Sequence, residues 1–363
     1  MRVAALDRFP YRIPLVDEFS TAHGRTAARA GLLVRLTTGS GVVGWGEAAP
    51  LPEFGGGTAA DAARLLENLA PDLVGCDLDA LAGLLDGLPA RPGIAAVRCA
   101  LDVAALDARG RAAGQPVAAL LAPDPAPSVP VNATVGAAAV EDAVAAARRA
   151  VASGFRVVKL KVGMAASPEA EAERVAAVRA AIGPKTDLRL DANGAWDVDT
   201  AIATLRRLLP YRIDLVEQPV PTADLDGLAR VRRAVDVPLA ADEAVGGLDA
   251  ARAVVARACA DVLVVKPMVV GGISEGRRIA ELAIDAGLTA IVTTTVDAGV
   301  CVAAALHLAA TLPSPAPACG LATGGLLASD LLAAPLAVER GRMRLPGGAG
   351  LGVDVDVDEL ARY

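Results

Sequence analysis

Histidine is almost missing from this chain of 363 residues; His23 and His307 are the only two. A metal centre built from several imidazoles of one chain is therefore excluded. Ser-His-Asp chemistry is left with one histidine in an N-terminal segment and one in an apolar helical stretch, where packing is the expected role. Cysteine is scarce too. Cys76, Cys99, Cys259, Cys301 and Cys319 are odd in number and never form C-x-x-C, which speaks for reduced thiols in a cytoplasmic protein and against a disulfide framework or a zinc site. Long hydrophobic runs are absent although the mean hydropathy is +0.45. The longest uncharged stretch, 298–329, is broken by Pro313, Pro315 and Pro317, and its apolar piece Val300–Leu312 falls short of the ~20 residues of a membrane helix. No basic segment followed by an apolar run opens the chain, so no secretory signal is expected. A basic excess is lacking as well: 35 Lys+Arg face 42 Asp+Glu, a net charge of −7, which argues against a nucleic-acid partner.

The most telling scarcity is lysine. Of the 35 basic residues only Lys159, Lys161, Lys185 and Lys266 are lysines. Arginine stays charged, whereas a buried lysine can shift its pKa and act as a base. Three of the four fall at the C-terminal ends of predicted strands.

What is present from Val129 onward is an alternation of short β-rich runs with alanine-rich helical stretches. Strands are expected at Val129–Val135, Arg156–Val162, Asp187–Asp191, Asp214–Gln218, Pro238–Asp242, Asp261–Lys266, Thr289–Thr295 and Ala318–Leu321. Helices are expected between them, for example at Ser167–Ile182, where Ser167-Pro168 and the acidic Glu169 and Glu171 form a strong start. Seven or eight such units imply an α/β fold with a (β/α) barrel, a modified TIM barrel, over residues 129–335. Residues 1–128 read as an α+β capping domain, with a hairpin of Gly31–Thr37 and Val42–Glu47 around Thr38-Gly39-Ser40-Gly41 and helices at Ala59–Val74, Leu78–Leu88 and Ile94–Ala113. Ala122–Pro130 reads as a linker. The segment 336–363 regains β character at Leu336–Leu345 and Gly352–Val357 and is expected to rejoin the cap.

Active sites of barrels lie at the C-terminal ends of the strands. Those ends read Lys159-Leu160-Lys161, Asp191-Ala192-Asn193, Glu217-Gln218, Asp242-Glu243 and Lys266-Pro267. Their spacing is about one βα unit each, which predicts equal height around one mouth. A lone aspartate ending a strand is usually a helix cap or ion-pair member; five charged residues recurring at one interval are not. Three converging carboxylates cannot all ionise cheaply without a cation. Oxygen ligands without His or Cys favour Mg²⁺, with Mn²⁺ as the second choice. Asp191, Glu217 and Asp242 are the expected ligands, Asn193 and Glu243 the expected supporting residues. Lys161 and Lys266 are expected to face each other across the metal, with pKa values lowered by neighbouring cations. The chemistry this suits is proton abstraction beside a carboxylate of a small-molecule substrate. A Schiff-base aldolase on Lys266 and a non-catalytic barrel are the competing readings; the clustered carboxylates oppose the first, and the intact set of ligands and lysines the second.

The motifs VKLKVG, LRLDANGAWD, DLVEQP, LAADEA and VVKPMVVGG resemble, in order and spacing, the muconate-lactonizing-enzyme subgroup of the enolase superfamily. VPVNATVG, VEQPVPTADLDGLARVRR, VPLAADEAV and ACGLATGGLLASDLL are similar to the actinobacterial o-succinylbenzoate synthases within it. The resemblance implies a barrel under an α+β cap and Asp191, Glu217 and Asp242 as Mg²⁺ ligands. It makes Lys161 the base that removes the proton α to a carboxylate, Lys266 the stabiliser of the enediolate and Lys159 the partner that positions Lys161 or lowers its pKa. Thr295 and Gly320 would contact substrate carboxylates, and Arg25 or Arg29 a succinyl carboxylate. The activity implied is a dehydration, with N-succinylamino acid racemisation or another reaction of the subgroup as the alternative. Two departures stand out: Ala30 follows Arg29 where the family has an acidic residue, and Gly320-Leu321-Ala322 replaces the D-x-D of dipeptide epimerases.

Overall fold

The turn Thr38-Gly39-Ser40-Gly41 closes a hairpin as expected, with Gly41 at φ 82° and its N–H donating to Thr38 O at 2.9 Å. A computed structural model describes residues 1–21, 24–54 and 56–363. In it the hairpin belongs to an antiparallel sheet of β1 (Val3–Thr21), β2 (Gly24–Thr38) and β3 (Val43–Ala48), in the order β1-β2-β3. β1 escaped the sequence reading because Arg8, Pro10, Arg12 and Pro14 mask its alternation; an edge strand tolerates such prolines. β1 and β2 stay paired out to their far ends, with Phe19 opposite Thr26 and Thr21 opposite Gly24. Helices α1 (Ala59–Leu73), α2 (Leu78–Asp86), α3 (Ile94–Ala113) and α4 (Val117–Leu121) follow. Helix α3 lies directly on β3: a Cβ on Gly44 or Gly46 would run into the carbonyls of Ala104 or Ala100, one helical turn apart.

The expected strand Val129–Val135 is two elements. β4 (Ser128–Pro130) is no linker and pairs away from the barrel, and β5 (Ala133–Val135) opens it. The parallel sheet then runs through β6 (Val157–Lys161), β7 (Asp187–Asp191), β8 (Ile213–Glu217), β9 (Leu239–Ala241), β10 (Val262–Val265) and β11 (Thr289–Val292), in that spatial order. In the eighth position there is no full strand among the described residues. Single parallel bridges, Thr293 with Gly320 and Cys319 with Val131, join the two edges of the curled sheet. Gly320 is required there, since a Cβ would strike the Thr293 hydroxyl. The covering helices are α5 (Val140–Ala152), α6 (Pro168–Ile182), α7 (Val198–Leu208), α8 (Leu225–Ala234), α9 (Leu248–Ala256), α10 (Pro267–Val270), α11 (Ile273–Asp285) and α12 (Gly299–Ala309). Ser167, Asp197 and Asp224 cap their helices, each accepting a backbone N–H three residues on. Inside the barrel Leu215, Ala240, Val262, Val264 and Ile291 form an apolar cluster separate from the main core. They sit on the inward face below the chemically active layer: Leu215, Ala240 and Val264 each precede a charged residue by two positions.

The tail forms β12 (Val338–Glu339) and β13 (Arg342–Arg344), a hairpin on β4. Gly352–Val357 is not a strand; a short α13 (Val357–Leu360) follows it. The tail does reach the cap, through Leu351 N to Asp107 at 2.8 Å and Arg12 N to Tyr363 O at 2.9 Å. His307 ties these parts together: its Nδ1 accepts from Ala118 N and its Nε2 donates to Leu351 O, both at 3.0 Å. Burial pushes its pKa down to about 4, so it is a neutral packing residue. His23 lies outside the described residues. No described helix is long and apolar enough to cross a membrane.

Cap and barrel meet at a buried carboxylate. Glu47, at the end of β3, accepts from Tyr11 Oη at 2.7 Å and caps α12 through Ala298 N at 2.8 Å and Cys301 N at 2.9 Å. Burial, and then the charge of Asp297, raise its pKa from 4.5 to about 7. A raised carboxyl contributes stability that is whole below pH 4.5 and lost as pH rises through 7. The loss is at most about 3 kcal/mol. Glu47→Gln removes this slope. It also turns an amide N–H toward a backbone donor, so the variant is expected to be less stable at every pH and flatter between pH 4.5 and 7, as urea titrations across that range would show. A slope equal to that of the parent protein would refute the assignment.

Candidate active site

Parallel pairing sets the first three positions. Lys161 stands opposite Asp191, and Asp191 opposite Glu217, in strict register. The rest of the expected equal height does not hold. Glu217 pairs with Ala240, and Ala240 with Val262, so Asp242 and Lys266 lie two and four residues farther along. This is the stagger of a tilted barrel wall. The site still closes, because each step of two residues keeps the side chain on the inner face.

The carboxylates of Asp191, Glu217 and Asp242 each offer an oxygen within 4.8 Å of the others, and all three residues are buried. Three buried lysines interleave with them. Lys161 Nζ reaches Asp191 Oδ2 at 2.6 Å and Asn193 Oδ1 at 2.9 Å. Lys159 Nζ lies 3.1 Å from the same Asp191 oxygen and 3.2 and 3.1 Å from the two oxygens of Glu217. Lys159 therefore engages the acids and does not touch Lys161 through a bond of its own. Lys266 Nζ donates to Asp242 Oδ1 and sits 4.4 Å from the centre of the Phe54 ring. Asn193 Nδ2 donates to Glu243 Oε1 at 2.8 Å, so Glu243 orients the amide that orients Lys161.

Electrostatics follow from this packing. Burial, and then Asp191, raise Glu217 to about 7 against the pull of Lys159. Burial raises Asp242 despite Lys266. For Asp191 burial is outweighed by Lys161 and Lys159, which hold it below the carboxylate range. Burial works to lower Lys159 and Lys266, but Glu217 holds the first up and Asp242 the second. The expected lowering by cationic neighbours is thus not seen for Lys266 among the protein's own groups, since the Asp242 carboxylate is closer to it than another lysine is. A trio of buried hard oxygen donors whose members oppose each other's ionisation fits a divalent cation.

Two supports went unread in the sequence. Gln218, in the left-handed region at φ 38°, accepts from Asp242 N at 3.0 Å and Ala244 N at 3.3 Å, which fixes the turn carrying Asp242. Glu171 was expected only as a helix-start charge. Its carboxylate accepts from Gly163 N at 2.8 Å, and Arg174 beside it donates to Lys161 O at 2.7 Å. This buried pair anchors the end of β6; its i, i+3 spacing on a helix following a lysine-bearing strand was the available signal.

Thr295 and Gly320 line the cavity with Leu15, Thr26, Leu51, Phe54 and Leu326, but their polar groups are engaged. Thr295 Oγ1 donates to Asp297 Oδ1, and Gly320 N donates to Val292 O at 2.9 Å while its carbonyl accepts from Thr293 Oγ1 at 2.9 Å. The Arg25 side chain lies outside the described residues. Arg29 is buried and bonded to protein acceptors, among them Pro50 O at 3.1 Å, so it does not offer itself to a succinyl carboxylate.

Residues 142–360 match the enolase C-terminal domain-like family, and residues 6–122 the mandelate racemase/muconate lactonizing enzyme N-terminal domain. The chain belongs to the mandelate racemase/muconate lactonizing enzyme family of the enolase superfamily. It is 33% identical over 356 residues to muconate cycloisomerase 1 of Rhodococcus opacus, covering 97% of this chain and 95% of that one. It is 44% identical over 216 residues to the o-succinylbenzoate synthase of Thermobifida fusca, covering 58% and 66%. The solved N-succinyl Arg/Lys racemase of Bacillus cereus superposes with a TM-score of 0.94 at 26% identity, covering 100% and 98%. The members of this enolase-superfamily group thus include a cycloisomerase, a synthase and a racemase, and the chain is an enzyme of that group whose acid trio suits a divalent metal.

Proposed function

We propose that this chain is a cytoplasmic Mg²⁺-dependent dehydratase that converts 2-succinyl-6-hydroxy-2,4-cyclohexadiene-1-carboxylate to o-succinylbenzoate in menaquinone biosynthesis. The observation that carries it is the pair of buried lysines, Lys161 and Lys266, at opposite ends of the acid trio. The 44% identity over 216 residues to an o-succinylbenzoate synthase supports the dehydration. Gly320-Leu321-Ala322, without acidic residues, gives no partner to the ammonium of a dipeptide at that strand end.

Asp191, Glu217 and Asp242 would hold the cation, which when bound supplies positive charge to the substrate carboxylate. Lys161, as the neutral amine, takes the proton α to that carboxylate, and the C–H electron pair moves into the carboxylate as an enediolate. The Lys266 ammonium faces this developing charge. The pair then returns to the ring as the C–O bond breaks, Lys161 hands its proton to the departing hydroxyl, and water and the aromatic ring result. Asn193 and Glu243 hold Lys161 in line, and Lys159 keeps Glu217 and Asp191 in place. Thr295 and Gly320 shape the far wall.

Racemisation of N-succinylamino acids is the second reading, because two lysines flanking one α-carbon serve it equally and the superposed Bacillus cereus enzyme is such a racemase. Purified protein with Mg²⁺ and the cyclohexadiene substrate is expected to form the aromatic product. EDTA should stop turnover and added Mg²⁺ restore it. No product, together with Mg²⁺-dependent deuterium exchange at the α-carbon of N-succinylamino acids, would overturn the dehydratase in favour of the racemase.

A further inference from the structure

All three nitrogens of the Arg29 guanidinium are engaged inside the protein. Nη1 donates to Pro50 O at 3.1 Å and Nη2 to Ala49 O. Nη2 also meets Thr295 Oγ1 at 3.1 Å and Asp297 Oδ1 at 3.3 Å, and Nε donates to Val296 O at 3.2 Å. The ion pair with Asp297 is buried on both sides.

These acceptors fall into two groups. Ala49 and Pro50 begin the cap segment whose Leu51 and Phe54 wall the cavity, with Phe54 against Lys266. Thr295, Val296 and Asp297 form the turn after β11, on the barrel. Val296 sits at φ 60°, where a β-branched residue is strained, and the carbonyl of this strained residue is the one Arg29 Nε holds. Asp297 reinforces the same turn by accepting Thr295 N at 3.2 Å.

We propose that Arg29 is a positioning residue. With Asp297 it fastens the Ala49–Phe54 wall of the cap to the Thr295–Asp297 turn of the barrel, and so sets how tightly the far part of the substrate is held without touching the proton transfer. This role does not depend on which carboxylate is the substrate. A planar guanidinium reaches two sets of acceptors at once; a lysine keeps the charge against Asp297 but has one nitrogen for all of them.

Arg29→Lys in the full chain is therefore the test. Hydrogen–deuterium exchange of the resting protein, followed by mass spectrometry, should quicken by about tenfold or more in peptides covering 49–54 and 293–298, while peptides over β7 and β8 keep their rates. On the dehydratase substrate KM should rise by about tenfold with kcat within about threefold. Unchanged exchange in both peptides, or a fall in kcat at constant KM, overturns the proposal. Should Arg29→Lys not fold, Arg29→Met combined with Asp297→Leu removes both buried charges together and must show the same loosening of 49–54. The exchange measurement needs no substrate, so it decides on Arg29 even where the dehydratase reading itself fails.

Discussion

Lys161→Ala is expected to lower turnover by about 10³-fold or more while the protein stays folded. The side chain removed is 2.6 Å from Asp191 and 2.9 Å from Asn193. Asp191 is not left stranded, because Lys159 lies 3.1 Å from the same oxygen. Lys161→Arg sharpens the result. Arginine keeps a cation beside Asp191 but is not deprotonated at working pH, so it should be as inactive as alanine if Lys161 is the base. If charge alone mattered, arginine would restore activity. Product formation and α-deuterium exchange, measured beside thermal melts, separate the two, and a Lys161→Arg enzyme with a tenth of the parent turnover would remove Lys161 from the base role.

Glu217→Gln should give the second large effect. Glu217 is one of three acids with oxygens within 4.8 Å, and Lys159 covers both of its oxygens. The amide is nearly isosteric and leaves Lys159 paired with Asp191, so the fold is expected to survive. What goes is one charge of the trio. A ligand that binds the native state alone raises its melting temperature in proportion to RT ln(1 + [L]/Kd). The parent protein should melt higher with added Mg²⁺, and Glu217→Gln should not, with turnover down by about 10³-fold. An undiminished Mg²⁺ shift in the variant would take Glu217 out of the metal site.

The barrel was legible in the alternation of short β-rich runs with alanine-rich helical stretches, and the site in the charged residues recurring at nearly constant interval at five successive strand ends, which have no cheap place in otherwise alanine- and valine-rich stretches. Its stagger was not: spacing along the chain says nothing of the tilt that puts Asp242 and Lys266 beyond the ends of β9 and β10. β1 was hidden by Pro10 and Pro14, which an edge position permits. The eighth strand could not be seen as what it is, two single bridges at Cys319 and Gly320. Arg29 looked available to a substrate because a sequence shows a cation but not its acceptors, three of which lie more than 260 residues away.

The apolar cluster of Leu215, Ala240, Val262, Val264 and Ile291 bears on where protons travel. Arg189, opposite Leu215 of this cluster, bonds Asp214 Oδ2 at 3.0 Å and Ala318 O at 2.7 Å, so its guanidinium is tethered among the same strands. An apolar stopper carries no hydrogen-bonded water chain. On its other side Lys161 lines a cavity walled by the cap segment that holds Leu51 and Phe54. In the proposed dehydration, a proton taken by Lys161 would have the substrate itself as its nearest destination, as an internal return of that proton to a leaving hydroxyl requires.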